Sequence, residues 1–188
     1  MSVALTGGFA APSIEAAMAF RAVLQAMSRP GSILEVTGAA PPAPCSPAAG
    51  AVLLTLVDAD TPLHLAGRHD GAALRDWLRF HTGAPLVGPG EAAFGLGDWE
   101  ALPPLADWPQ GTPDYPDRSA TLIVEVPRLE ASGARLTGPG IRDSAALSLP
   151  EGLAAVRAAA CFPLGVDLIL TAGMRLAALP RTTRLEAP

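Results

Sequence analysis

With 188 residues, 49% of them hydrophobic and only 16% charged, the chain is long enough to bury about 70% of its unfolded surface and too apolar to stay disordered. The net charge of −5 comes without any basic run, which argues against a nucleic-acid partner. All 13 cations are arginine, so the chain can form neither a lysine Schiff base nor a P-loop lysine contact.

Taken in order, residues 13–28 read as a helix. Ser13 follows Pro12 as a candidate N-cap, and Phe20, Val23, Leu24 and Met27 form its inward stripe. Arg29-Pro30-Gly31 stops it, and residues 32–37 read as a strand. Residues 38–47 read as a loop. The stretch 48–57 is apolar without clean alternation and suits a buried helix better than a strand. After the turn at Asp58-Ala59-Asp60-Thr61-Pro62, residues 63–66 read as a short buried strand. Residues 70–82 read as a helix capped by Asp70, with Leu74, Trp77, Leu78 and His81 on one face and Gly83 at its end.

Turn signals dominate 84–118, where Trp99 and Trp108 are expected to anchor the segment to the core. Residues 120–126 alternate as a strand, and 136–141 read as a strand running into a Gly-Pro-Gly turn. Residues 150–160 read as a helix with Leu153, Val156 and Ala160 inward. The clearest strand is 166–172, expected to form a hairpin with 176–179 across Gly173. Alternating helices and strands with no linker or repeat imply a single-domain layered α/β fold over 1–188, and the late hairpin makes its sheet mixed.

The usual chemical signatures fall short. His64, His69 and His81 do not pair at i, i+4, and Cys45 and Cys161 are isolated, so no metal is expected and both thiols are expected free and buried. No G-x-S-x-G is present. Gly138-Pro139-Gly140 opens like a dinucleotide fingerprint, but Asp143 stands where the third glycine belongs. Asp58 and Asp60 suit a turn better than an acid–base pair. The first cation is Arg21, so no secretory leader is read. The apolar stretches fall short of the about 20 residues a membrane helix needs. The expected compartment is the cytoplasm.

Arginines beside hydroxyls offer the best chemistry. Leu179-Pro180-Arg181-Thr182-Thr183-Arg184, Arg79-Phe80-His81-Thr82-Gly83 and Met27-Ser28-Arg29-Pro30-Gly31 combine guanidinium forks with hydroxyls, which suit phosphate or phosphonate oxygens. The candidate anion site is therefore Arg29, Arg79, His81, Arg181, Thr182 and Thr183 converging on one pocket. The plainer alternative is that Arg29, Arg79 and His81 meet helix C-terminal dipoles and that the arginines pair with Asp58, Asp60 or Asp167.

The chain also resembles a family. Phe20-Arg21 through Met27-Ser28-Arg29-Pro30-Gly31 is similar to the opening block of the H subunit of the bacterial carbon–phosphorus lyase core complex, the PhnH family of phosphonate metabolism. Leu53-Leu54-Thr55-Leu56 with Asp58, Asp60, Thr61 and Pro62 resembles its second block, and Arg79 through Val87 its third. Ser119-Ala120-Thr121-Leu122-Ile123, Leu136-Thr137-Gly138-Pro139-Gly140-Ile141, Phe162 through Thr171, and Pro180-Arg181-Thr182-Thr183 continue the series. The resemblance implies a reduced pyridoxal-phosphate-dependent transferase fold without the cofactor, a homodimer in isolation, and assembly with the G, I and J subunits. It also implies that the complex, not this chain alone, carries the transferase and lyase chemistry, so neither cofactor nor catalytic residue is expected here. Two alternatives stay open: a self-sufficient transferase and a free-standing binder of small anions.

Overall fold

The computed structural model describes residues 6–158, 162 and 164–186. Its strands are β1 (Leu34–Glu35), β2 (Leu63–Leu65), β3 (Phe94–Asp98), β4 (Thr121–Glu125), β5 (Ala134–Thr137), β6 (Ala145–Leu147), β7 (Asp167–Ala172), β8 (Arg175–Leu179) and β9 (Arg184–Glu186). Its α-helices are α1 (Pro12–Ser28), α2 (Pro47–Leu56), α3 (Ala72–His81) and α4 (Leu153–Ala158). The main sheet has the order β1-β8-β7-β4-β3-β2, and a smaller one has the order β6-β5-β9. In the main sheet β2, β3, β4 and β7 are parallel, while β8 runs antiparallel to both β7 and β1. The expected α/β architecture with a mixed sheet is observed.

The central strands are apolar on both faces because both faces are covered. Along β4, Ile123 points into a core with Leu63, Leu65, Leu96 and Ile169, closed by α1, α2 and α3 through Val23, Leu53, Leu74, Trp77 and Leu78. Leu122 and Val124 point the other way, onto Leu168, Leu170, Trp108, Leu136, Leu147 and Leu153. The smaller sheet, α4 and the segment after β3 cover that second face. A parallel strand buried on both sides reads as a continuous apolar run, which β7 also shows. Trp77 is fully buried and its indole N–H donates to the Thr6 carbonyl at 3.0 Å. Burying such a side chain contributes about 1.5–3 kcal/mol.

Helix boundaries follow local chemistry. Helix α1 starts at Pro12, so Ser13 lies inside its first turn rather than capping it; the N-cap is Ala11, whose N–H is held by the Glu15 carboxylate at 2.7 Å. Its inward stripe is Ala19, Val23 and Ala26, and Phe20 and Leu24 are exposed. Small residues bring α1 close to α2, whose N-cap Ser46 accepts the Ala49 N–H at 3.1 Å. Gly71, not Asp70, precedes α3; Asp70 instead takes both ends of the Arg75 fork. In α4 Leu153 is inward as expected, whereas Val156 is 42% exposed; Ala160 lies outside the described residues. The segment 84–118 carries a strand, β3, that turn signals conceal, and β6 and β9 likewise go beyond the strands that the sequence announces. The strand expected over 32–37 shortens to β1.

Candidate functional site

Parallel α/β sheets tend to bind ligands at the carboxyl ends of their strands. Here Asp98, Glu125 and Thr171 stand abreast at the ends of β3, β4 and β7. Glu125 is 8% exposed, and its carboxylate accepts the Ser46 N–H at 2.6 Å, at the start of α2. The helix N-terminus that would attract an external anion thus already faces a carboxylate of its own chain. Burial pushes the Glu125 carboxyl above its ordinary value, against the Ser46 N–H and the Thr171 hydroxyl, which pull it down. Asp98 takes the Arg68 fork at 2.7 and 2.8 Å. His69 is fully buried, its Nδ1 lies 3.9 Å from Asp98, and neither ring nitrogen has a hydrogen-bond partner among the described residues. Burial, the largest influence on His69, pushes its pKa down and favours a neutral ring. Cys45 is buried beside Ser46, and burial together with Glu125 pushes its thiol far up. This edge is filled by its own side chains.

The other candidate lies where β8 leads into β9. Arg181, Thr182 and Thr183 line one cavity of about 610 Å³ together with Arg157, Arg184, Gly138 and Pro139. Arg181 itself is committed: its Nη2 and Nε reach Asp167 at 2.7 and 3.3 Å, and its Nη1 donates to the Pro116 carbonyl. Arg157, on α4, is 9% exposed and donates to the Val166 and Pro180 carbonyls, each at 2.6 Å. Burial, the dominant influence, pushes its pKa down. Thr183 is 6% exposed, and its hydroxyl has no partner among the described residues.

The remaining expected site residues lie elsewhere. Arg29 is the exposed C-cap of α1. Arg79 lines a separate cavity of about 380 Å³ with Arg75 and Gly83. His81 packs its ring against Trp77 at 4.9 Å. The structure therefore groups Arg181, Thr182 and Thr183 and does not bring Arg29, Arg79 or His81 into their cavity. Arg79 and His81 do stand in the last turn of α3, where the helix dipole favours them. Sequence reasoning missed Arg157, which reads as an ordinary helical cation, and Glu125, which reads as the polar face of a strand. Of the thiol pair, Cys45 is free and buried, and Cys161 lies outside the described residues. A larger groove of about 780 Å³ beside Val126 and Ala155 is mainly apolar, and its Ser148 hydroxyl is already bonded to the Glu130 N–H. No group of three His, Cys, Asp or Glu side chains among the described residues could hold a metal.

These features define a mixed-sheet α/β protein whose strand-end site is internally closed and whose open chemistry is cationic. The chain matches the family model of the bacterial phosphonate metabolism protein PhnH over residues 7–186. It is 43% identical over 195 aligned positions to alpha-D-ribose 1-methylphosphonate 5-triphosphate synthase subunit PhnH of Rhizobium meliloti (strain 1021), covering 96% of this chain and 95% of that one. It is 35% identical over 182 positions to the putative C-P lyase subunit protein HtxG of Stutzerimonas stutzeri, covering 89% of this chain and 84% of that one. The chain belongs to the PhnH family.

Proposed function

We propose that the chain is the H subunit of a carbon–phosphorus lyase core assembly in organic phosphonate catabolism, working in the cytoplasm with G, I and J subunits. The observation that carries this reading is near-full-length identity to a relative named as a synthase subunit. A surface feature supports it: α1 exposes Ile14, Met18, Phe20 and Leu24, each between 51% and 65% accessible. Apolar side chains so concentrated on one helix suit burial against another protein. In isolation the same kind of surface serves a homodimer. The parallel sheet core and the absence of lysine support reading the fold as one domain, a reduced pyridoxal-phosphate transferase without its cofactor. Catalysis belongs to the assembly, so the purified chain alone transforms neither ATP nor methylphosphonate. The chain's own contribution to ligand contact is the Arg181-Thr182-Thr183 segment.

A tagged pull-down from cells grown on a phosphonate tests the reading. Stoichiometric partners are expected, and Met18→Glu with Leu24→Glu should release them while leaving the circular dichroism spectrum unchanged. Recovery of the tagged chain without partners would overturn the assignment.

A further inference from the structure

We propose that Arg157 and Thr183, with Arg184 at the rim, form a binding site for a small tetrahedral oxyanion in the cavity between α4 and β9. This deepens the anion-contact reading above, which it rests on, and shifts its centre from Arg181 to Arg157.

Three observations carry it. First, Arg157 is a buried cation without an ion-pair partner among the described residues. Its two hydrogen bonds go to the Val166 and Pro180 carbonyls, and the nearby carboxylate, Asp167, is already held by Arg181 at 2.7 Å. A guanidinium carries five N–H donors, so donors remain. A charge taken out of water without a counter-charge is unfavourable, and a bound anion would supply one. Second, Thr183 lines the same cavity, and its hydroxyl is buried without a partner among the described residues. Buried hydroxyls are normally hydrogen-bonded, so an unpaired one marks an unfilled acceptor or donor position. Third, the cavity's lining includes Arg157, Arg181 and Arg184 and, among the described residues, no acidic one, in a chain whose net charge is −5. Its about 610 Å³ exceeds what a bare oxyanion needs, and Pro139 and Leu185 would contact an organic substituent.

Arg181 has a different duty. Its fork and its backbone N–H are spent on Asp167, and its Nη1 on Pro116, so it braces the loop from which Thr182 and Thr183 project.

The test titrates the purified full chain with inorganic phosphate, sulfate and methylphosphonate at constant ionic strength, following melting temperature and heat of binding. Saturable stabilisation by at least one oxyanion over chloride is expected, and the oxyanion that binds tightest identifies the source. Thr183→Val, nearly isosteric, should weaken that binding roughly tenfold, the loss of one charge-assisted hydrogen bond. Arg184→Ala should weaken it severalfold, and Arg157→Met should abolish it. Should Arg157→Met fail to fold, the other two variants decide. The inference falls if the wild-type chain binds none of the three, or if Thr183→Val and Arg184→Ala bind as wild type does. The same variants enter the pull-down. Partners retained by a wild-type chain that binds no oxyanion would overturn this inference alone, and oxyanion binding without partners would overturn the assembly reading alone.

Discussion

Arg181 and Asp167 form a bidentate pair in which Nη2 lies 2.7 Å from Oδ2 and the two side chains are only 16% and 14% exposed. The Arg181 backbone N–H adds a third bond to Oδ1 at 2.7 Å. The pair joins the start of β7 to the loop after β8 and holds Pro116 as well. Removing one partner of a buried pair strands the other, a loss of about 3–5 kcal/mol. Arg181→Ala should therefore unfold at a melting temperature lower by many degrees, read by thermal denaturation. Because Lys lacks the planar fork, Arg181→Lys should recover only part of the loss. A melting temperature unchanged in Arg181→Ala would show that the pair is not structural.

The Arg68–Asp98 pair has the same fork geometry but the opposite outcome. The Arg68 side chain is 65% exposed, so water already solvates it and salt screens it. Arg68→Ala should leave the melting temperature within a degree or so of wild type. A loss comparable to that of Arg181→Ala would mean that burial is not what separates the two pairs.

How much of this was legible in the sequence depends on what each residue had to do. Strand β7 and its hairpin to β8 announce themselves because both faces are apolar, and α2 does so through ten helix-compatible residues without alternation. Strand β3 does not. Its Gly95 and Gly97 make room for Trp108 and Leu102; a Cβ at Gly95 would lie 2.2 Å from the Trp108 ring. A strand that yields its side chains to its neighbours carries no β signal. The inward face of α1 is not legible because Phe20 and Leu24 look like core residues yet are exposed, and an apolar side chain does not by itself say which way it points. Within the cavity, Arg181-Thr182-Thr183 was visible as a motif, while Arg157 enters only through the packing of α4 on β9.

Cys45 should be chemically silent in the folded chain. It is 5% exposed, and burial with the neighbouring Glu125 disfavours the thiolate that alkylation requires. Brief treatment with iodoacetamide at neutral pH, followed by peptide mapping, should leave Cys45 unlabelled until denaturant is added. Labelling of Cys45 at the rate of a free thiol in native buffer would contradict its placement.

Glu125 should make stability fall as pH rises above the carboxylate range. Burial is the largest influence on it and outweighs the Ser46 N–H, so its folded pKa lies above the ordinary value of 4.5. A group that binds its proton more tightly when folded contributes stability that is fully present below about 4.5, its unfolded value. That contribution is lost as pH climbs through the raised folded value. Glu125→Gln mimics the protonated form, still accepts the Ser46 N–H, and has no charge to desolvate. Melting curves of the two proteins should therefore nearly coincide at acid pH. They should separate by a few degrees toward neutral pH, with the variant the more stable. Every other titrating group is common to both chains and drops out of the difference. A gap that stays constant from pH 4 to 8, or one in which the wild type gains on the variant as pH rises, would show that the Ser46 N–H and the start of α2 hold Glu125 ionised at no cost.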